Sequence, residues 1–154
     1  MRSKLSIRNR QRTRPVDCKL LARLTRTLFR DLLQKESFDL SVCLVDAPEI
    51  TRLNEKFLQH RGSTDVITFD YGDAAEPELL SGEIFVCLDE AVKQARRFRT
   101  SWQSELVRYV VHGILHLCGY DDRKPRARRT MKREEDRLVK QLTARFAVQQ
   151  LGRV

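Results

Sequence analysis

His112 and His116 stand four residues apart in His112-Gly113-Ile114-Leu115-His116-Leu117-Cys118-Gly119-Tyr120-Asp121-Asp122, and a carboxylate, Asp122, follows six residues after the second imidazole. On a helix, side chains four apart lie on one face about 5–6 Å from each other, so both imidazoles can reach a single metal ion. Gly119 permits a left-handed turn that ends the helix and lets Tyr120, Asp121 and Asp122 swing back toward the same ion. Three protein ligands would leave a coordination position open, which separates a catalytic site from a closed structural one. An isolated histidine is more often a satisfied polar group, but the helical phase argues otherwise here. At about 100° per residue, Leu106, Val107, Val110, Val111, Ile114, Leu115 and Cys118 form one apolar arc. His112 and His116 fall opposite its centre with Glu105, Arg108 and Tyr109, and so are expected to face a cleft or water.

The elements that must position these groups can be outlined from the hydropathy pattern. Leu5 to Ile7 reads as a short edge strand, and the leucines at 20, 21, 24, 28, 32 and 33 predict a helix from about Asp17 to Lys35. Leu40 to Val45 reads as a strand, and Pro48 suits the first turn of a helix carrying Ile50, Leu53 and Phe57. Gly62-Ser63 ends that helix before a strand over Asp65–Phe69, and residues 72 to 82 read as an interior loop. Glu83 to Leu88 is then a strand, and Asp89 is placed to cap a helix with Ala91, Val92, Ala95 and Phe98 on one stripe. The histidine helix follows from about Ser104 to Leu117, and a charged helix from about Arg126 carries Met131, Leu138, Leu142 and Phe146. The order β-α-β-α-β-β-α-α-α implies an α+β fold, a small mixed four-stranded sheet flanked by helices with a zincin-like metal-bearing helix.

The 154 residues, 41% hydrophobic and 33% charged, suit one soluble domain spanning 1–154. The net charge of +9 favours a polyanionic partner. Residues 123 to 133 hold Arg123, Lys124, Arg126, Arg128, Arg129, Lys132 and Arg133 without an acidic residue, directly after the candidate ligands. A second basic tract runs through Arg2, Lys4, Arg8, Arg10, Arg12 and Arg14, and Arg96, Arg97 and Arg99 end the helix before the histidine helix. Each run alone is compatible with a solvated face; together with the site they suggest a phosphate-backbone track. Cys18, Cys43, Cys87 and Cys118 form no Cys-x-x-Cys pair, which argues against a disulfide framework or zinc knuckle. No run is apolar enough for a membrane span or a signal peptide, so no membrane partner and a cytoplasmic location are expected.

The chain resembles the YbeY family of bacterial metal-dependent endoribonucleases, which act in rRNA maturation and ribosome quality control. The likeness rests on His112-Gly113-x-Leu115-His116-Leu117-x-Gly119-Tyr120-Asp121, with Leu53-Asn54, Thr64-Asp65-Val66-Ile67-Thr68-Phe69, Gly82-Glu83-Ile84, Met131 and Glu134-Glu135 in the same order. It implies one divalent ion, zinc, and a single-stranded RNA substrate, with rRNA and ribosomal particles as partners. The family motif usually ends in a third histidine where this chain has Asp122. A carboxylate can ligate zinc at about 2.0–2.2 Å, so the resemblance gives His112, His116 and Asp122 as metal ligands. The added negative charge makes the site friendlier to a harder ion such as manganese. Asp121 competes as third ligand, or as a partner to an imidazole. Relatives typically carry an RNA-engaging arginine where this chain has Leu58, and Arg61 or His60 lies near enough in sequence to replace it.

The chemistry expected of such a site is hydrolysis of an RNA phosphodiester by a metal-activated water, with nearby Arg or Lys offsetting transition-state charge. Arg61 and Asp121 are candidate catalytic groups, and Arg61, Arg123, Lys124 and Arg126 candidate RNA contacts. The histidine spacing also matches metzincin proteases, which carry a glutamate base directly after the first histidine. Gly113 occupies that position and accepts no proton, which argues against peptide hydrolysis; close backbone or substrate approach is its expected use. The alternative outside enzymes is a ribosome-associated RNA-binding factor with a structural metal.

Overall fold

A computed structural model describes residues 2–153. The strands are β1 (Ser3–Asn9), β2 (Phe38–Val45), β3 (Val66–Asp70) and β4 (Leu80–Cys87), and the helices α1 (Cys18–Thr27), α2 (Ala47–Phe57), α3 (Leu88–Phe98), α4 (Trp102–Leu117) and α5 (Pro125–Arg145). They form a mixed sheet in the order β1-β2-β4-β3, with β1, β2 and β4 parallel and β3 antiparallel on the edge. The α+β architecture and the element order match the expectation from sequence.

Both faces of the central strands are covered, and alternate residues separate cleanly between two apolar clusters. Leu40, Val42, Leu44, Ile84 and Val86 face the main core with Leu21, Leu24, Leu106, Val110, Ile114, Leu138 and Leu142 of the helices. Cys43, Val45, Phe85 and Cys87 face the other way, onto Ile50 of α2 and Ile67 of β3. That double burial explains why β2 and β4 read as nearly continuous apolar runs. Of the cysteines, Cys43 and Cys87 are buried, Cys18 and Cys118 are half-buried, and all four are free.

Several local expectations are corrected. The segment expected as one helix to Lys35 changes hydrogen-bond pattern after Thr27: Leu28–Leu32 forms a π turn in which the Leu33 amide reaches Leu28 O at 2.9 Å. The extra residue resets the phase, so Leu28 and Phe29 are both fully buried and Phe29 stacks on Phe38 with ring centroids 4.4 Å apart. The loop expected over 72 to 82 closes earlier, because Leu80, Ser81 and Gly82 pair with Phe38, Asp39 and Leu40 as the start of β4. Asp89 does not cap α3, whose first residue is Leu88. Its carboxylate instead accepts from the Ala47 amide and the Thr13 hydroxyl, both at 2.5 Å, tying α3 to the start of α2. Helix α4 begins before Ser104, at Trp102, because the Ser101 hydroxyl caps it by accepting from the Ser104 amide at 3.1 Å. Phe57 and Phe98, expected on apolar stripes, are more than half exposed.

Candidate metal centre

Helix α4 lies against the sheet with its apolar arc inward, and Gly113 sets how closely it approaches. A Cβ at that position would meet Ile84 Cδ1 and Cγ2 at 2.9 Å and Cγ1 at 3.1 Å. The glycine therefore accommodates a core side chain of β4 rather than backbone or substrate. The other side of the helix turns His112 and His116 into a cleft, with side chains 26% and 29% exposed. Their polar-side companions Glu105 and Tyr109 are buried instead: Thr100 donates to Glu105 at 2.7 Å, and the Tyr109 hydroxyl donates to Glu90 O at 3.5 Å.

The helix ends as its glycine dictates. Gly119 has φ +99°, and the amides of Gly119 and Tyr120 return to His116 O and Leu115 O at 3.0 Å each. This double closure is a Schellman turn, and it folds the next residues back over the helix end. Asp122 Oδ2 thereby lies 3.4 Å from His112 Nε2 and 3.5 Å from His116 Nε2, while the two Nε2 atoms are 3.1 Å apart. Asp121 points elsewhere: both of its oxygens are taken by the exposed Arg123 guanidinium at 3.1–3.2 Å. That pairing, with the Arg123 amide, holds the Asp121 carboxyl below the usual carboxylate range. Among the described residues, His112, His116 and Asp122 form the group able to hold one metal ion.

The proton inventory explains why the two ring nitrogens face each other. His116 Nδ1 lies 3.1 Å from Tyr120 O, and a carbonyl only accepts, so Nδ1 carries the proton. His112 Nδ1 lies 2.7 Å from Glu135 Oε1 of α5. Burial favours the protonated form of Glu135, but hydrogen bonds from His112 and Arg108 outweigh it and lower its pKa. The same pairing overcomes burial at His112 and raises its pKa. With both Nδ1 atoms committed as donors, the neutral rings turn their two Nε2 lone pairs toward one another and toward a carboxylate oxygen, an arrangement that a shared divalent ion, or a proton on one Nε2, relieves. The triangle of 3.1, 3.4 and 3.5 Å is close to the edge of about 3.3 Å that a tetrahedron with bonds of 2.0–2.1 Å requires. These three residues would fit one divalent ion.

Around the triad the cleft has two lobes. A cavity of 260 Å³ toward α5 is lined by Arg108, Arg128 and Lys132 together with Asp65, His112, Asp122 and Glu135. The second lobe, toward β3 and the end of α2, is lined by Leu58, Thr64, Asp65, Thr68 and Asp70 with the three candidate ligands. Thr68 Oγ1 is the one buried side-chain polar atom without a hydrogen-bond partner among the described residues. Arg61 is in neither lobe: it lines a separate depression with Glu55, Gln59 and His60. Arg123, Lys124 and Arg126 are exposed around the start of α5. Lys4 and Arg8 of the amino-terminal basic tract lie on β1, the opposite sheet edge from β3, about 14 Å away across three strand spacings.

The histidine motif assigns no role to Glu135, Arg108 or Asp65. Glu135 had a legible signal: it lies on the stripe of Met131, Leu138 and Leu142, a carboxylate on a core-facing line, and a buried carboxylate needs a partner.

The sequence profile of the endoribonuclease YbeY family matches residues 6–143. The endoribonuclease YbeY of Chlorobium luteolum is 37% identical over 138 residues, covering 90% of this chain and 97% of that protein. The Parabacteroides distasonis endoribonuclease YbeY is 40% identical over 105 residues, 68% of this chain and 72% of its own. The solution structure of a Thermotoga maritima protein superposes with a TM-score of 0.66 at 29% identity, covering 92% of this chain and 90% of that one.

Proposed function

Because the chain belongs to the endoribonuclease YbeY family, we propose that it is a single-domain metal-dependent endoribonuclease hydrolysing single-stranded RNA. Its working substrates on this reading are ribosomal RNA and ribosomal particles in the cytoplasm, where it serves rRNA maturation and ribosome quality control. Among the described residues no helix is long and apolar enough to cross a membrane, and the net charge of +9 suits a polyanionic substrate.

The observation that carries the reading is the triangle of His112 Nε2, His116 Nε2 and Asp122 Oδ2 at single-ion spacing beside a cavity that Arg128 lines. Zinc fits this donor set, and the carboxylate in third place also admits manganese. A divalent ion in such a site supplies acidification of water and polarisation of a phosphoryl oxygen. The remaining work falls to the protein. Glu135 fixes the His112 tautomer, and Arg108, 2.6 Å from Glu135 Oε2, keeps that carboxylate ionised. Asp65 lines both lobes, and on this reading its carboxylate takes up the proton of the attacking water.

Incubation of the purified protein with single-stranded rRNA fragments tests the proposal. Cleavage abolished by a chelator, restored by zinc or manganese, and absent in His116→Ala is the expected result. RNA binding without cleavage under any metal would overturn it in favour of a non-catalytic factor.

A further inference from the structure

The cations around the candidate centre are not equivalent. Arg108 Nη1 lies 2.6 Å from Glu135 and 2.7 Å from Asp136, and Lys132 Nζ lies 3.3 Å from Asp136 and 3.6 Å from Glu135. Their charge is spent holding the carboxylate behind His112. Arg128 lines the same cavity, yet among the described residues it has no carboxylate within 4.0 Å. Among the described residues, no lysine or arginine lines the lobe on the Leu58 side.

Arg128 is exposed and stands at a helix end that favours an anion over a cation. It is the fourth residue of α5, whose first turn contains no acidic residue and whose capping position, Lys124, makes no side-chain capping hydrogen bond. The positive end of the helix dipole and the neighbouring Lys124, Arg126 and Arg129 all repel a guanidinium there and attract a phosphate. A guanidinium can meet phosphate oxygens through two parallel hydrogen bonds, which an ammonium cannot.

We propose that Arg128 is the substrate-positioning cation of this site. It binds a backbone phosphate of single-stranded RNA next to the reacting one, so that the strand enters along α5 and away from Leu58. The inference rests on the endoribonuclease reading and assigns that reaction its polyanion contact.

The test uses full-length, zinc-loaded protein and a fluorescently labelled single-stranded oligoribonucleotide with 2′-O-methyl groups, followed by anisotropy at four salt concentrations. Arg128→Ala should weaken binding about tenfold and reduce the steepness of the log Kd against log salt plot by about 0.7, the loss of one phosphate contact on a single strand. Arg128→Lys should keep the salt dependence while binding more weakly than the unaltered protein. Lys140→Ala serves as the comparison, since Lys140 is exposed on the same helix about 18 Å along its axis and lines neither lobe. It should change binding less than about twofold. Arg128→Ala indistinguishable from Lys140→Ala, with cleavage by the unaltered protein intact, overturns the inference alone. Failure of the unaltered protein to bind RNA overturns the endoribonuclease reading and this inference together.

Discussion

Replacing Glu135 by glutamine removes one charge and almost no volume, and its consequences can be worked from the contacts of the carboxylate. The side chain is 7% exposed and accepts from His112 Nδ1 at 2.7 Å and from Arg108 at 2.6 Å, with Lys132 at 3.6 Å. Both close partners are donors, so an amide can satisfy only one through its oxygen and must turn its own NH₂ toward the other. Leaving a buried donor unpaired costs about 1–3 kcal/mol of stability. The larger effect falls on the metal. Loss of a carboxylate that orients a ligating histidine typically lowers metal affinity about 10- to 100-fold, or about 1.4–2.8 kcal/mol. Zinc affinity is measured by competition with a chromophoric chelator at pH 8, where protons compete least for the imidazoles. Glu134→Gln is the comparison, because Glu134 pairs with Arg137 and touches neither histidine; its affinity should move less than about twofold. A Glu135→Gln affinity within twofold of the unaltered protein, or an equal loss in both variants, would refute the reasoning.

Three further outcomes follow from the same geometry. Asp122→Asn should lower zinc affinity at least about tenfold while Asp121→Asn leaves it nearly unchanged, since only Asp122 approaches the Nε2 atoms; equal losses in the same titration contradict the assignment. Without an ion, the raised pKa of His112 contributes stability present below about pH 6.5 and lost as pH rises through its folded value. The lowered pKa of Glu135 contributes stability present above about pH 4.3 and lost as pH falls through its own. Zinc requires neutral imidazoles, so the rise in Tm on adding zinc should grow from pH 6 to pH 8, and a rise that shrinks over that range sinks the proton inventory. Gly113→Ala gains about 1 kcal/mol of helix propensity but drives a methyl into Ile84 at 2.9 Å, where overpacking costs about 1–3 kcal/mol. Urea unfolding should show net destabilisation of up to about 2 kcal/mol, and a stabilised variant would show that α4 can retreat from β4.

Much of the fold was legible because its signals are local. The phase of α4, the glycine that ends it and the alternation of β2 and β4 each follow from residues within one element. What the sequence hid depends on contacts between elements. The antiparallel edge position of β3 brings Asp65 and Thr68 to the histidines, and no local pattern encodes it. Asp89 satisfies the composition rule for a helix cap, but the Ala47 amide and Thr13 hydroxyl claim its carboxylate first. Asp121 and Asp122 are indistinguishable by residue type, and only the Schellman turn and Arg123 separate their roles. Glu135 announced itself by lying on an apolar stripe, though its partner, 23 residues earlier, did not.

Anomalous diffraction at the zinc edge from crystals of the zinc-loaded protein addresses the central claim most directly. A single strong peak about 2.0–2.2 Å from His112 Nε2, His116 Nε2 and an Asp122 oxygen is the predicted result. A peak held by other residues, or no peak between the two imidazoles at full zinc loading, would contradict it.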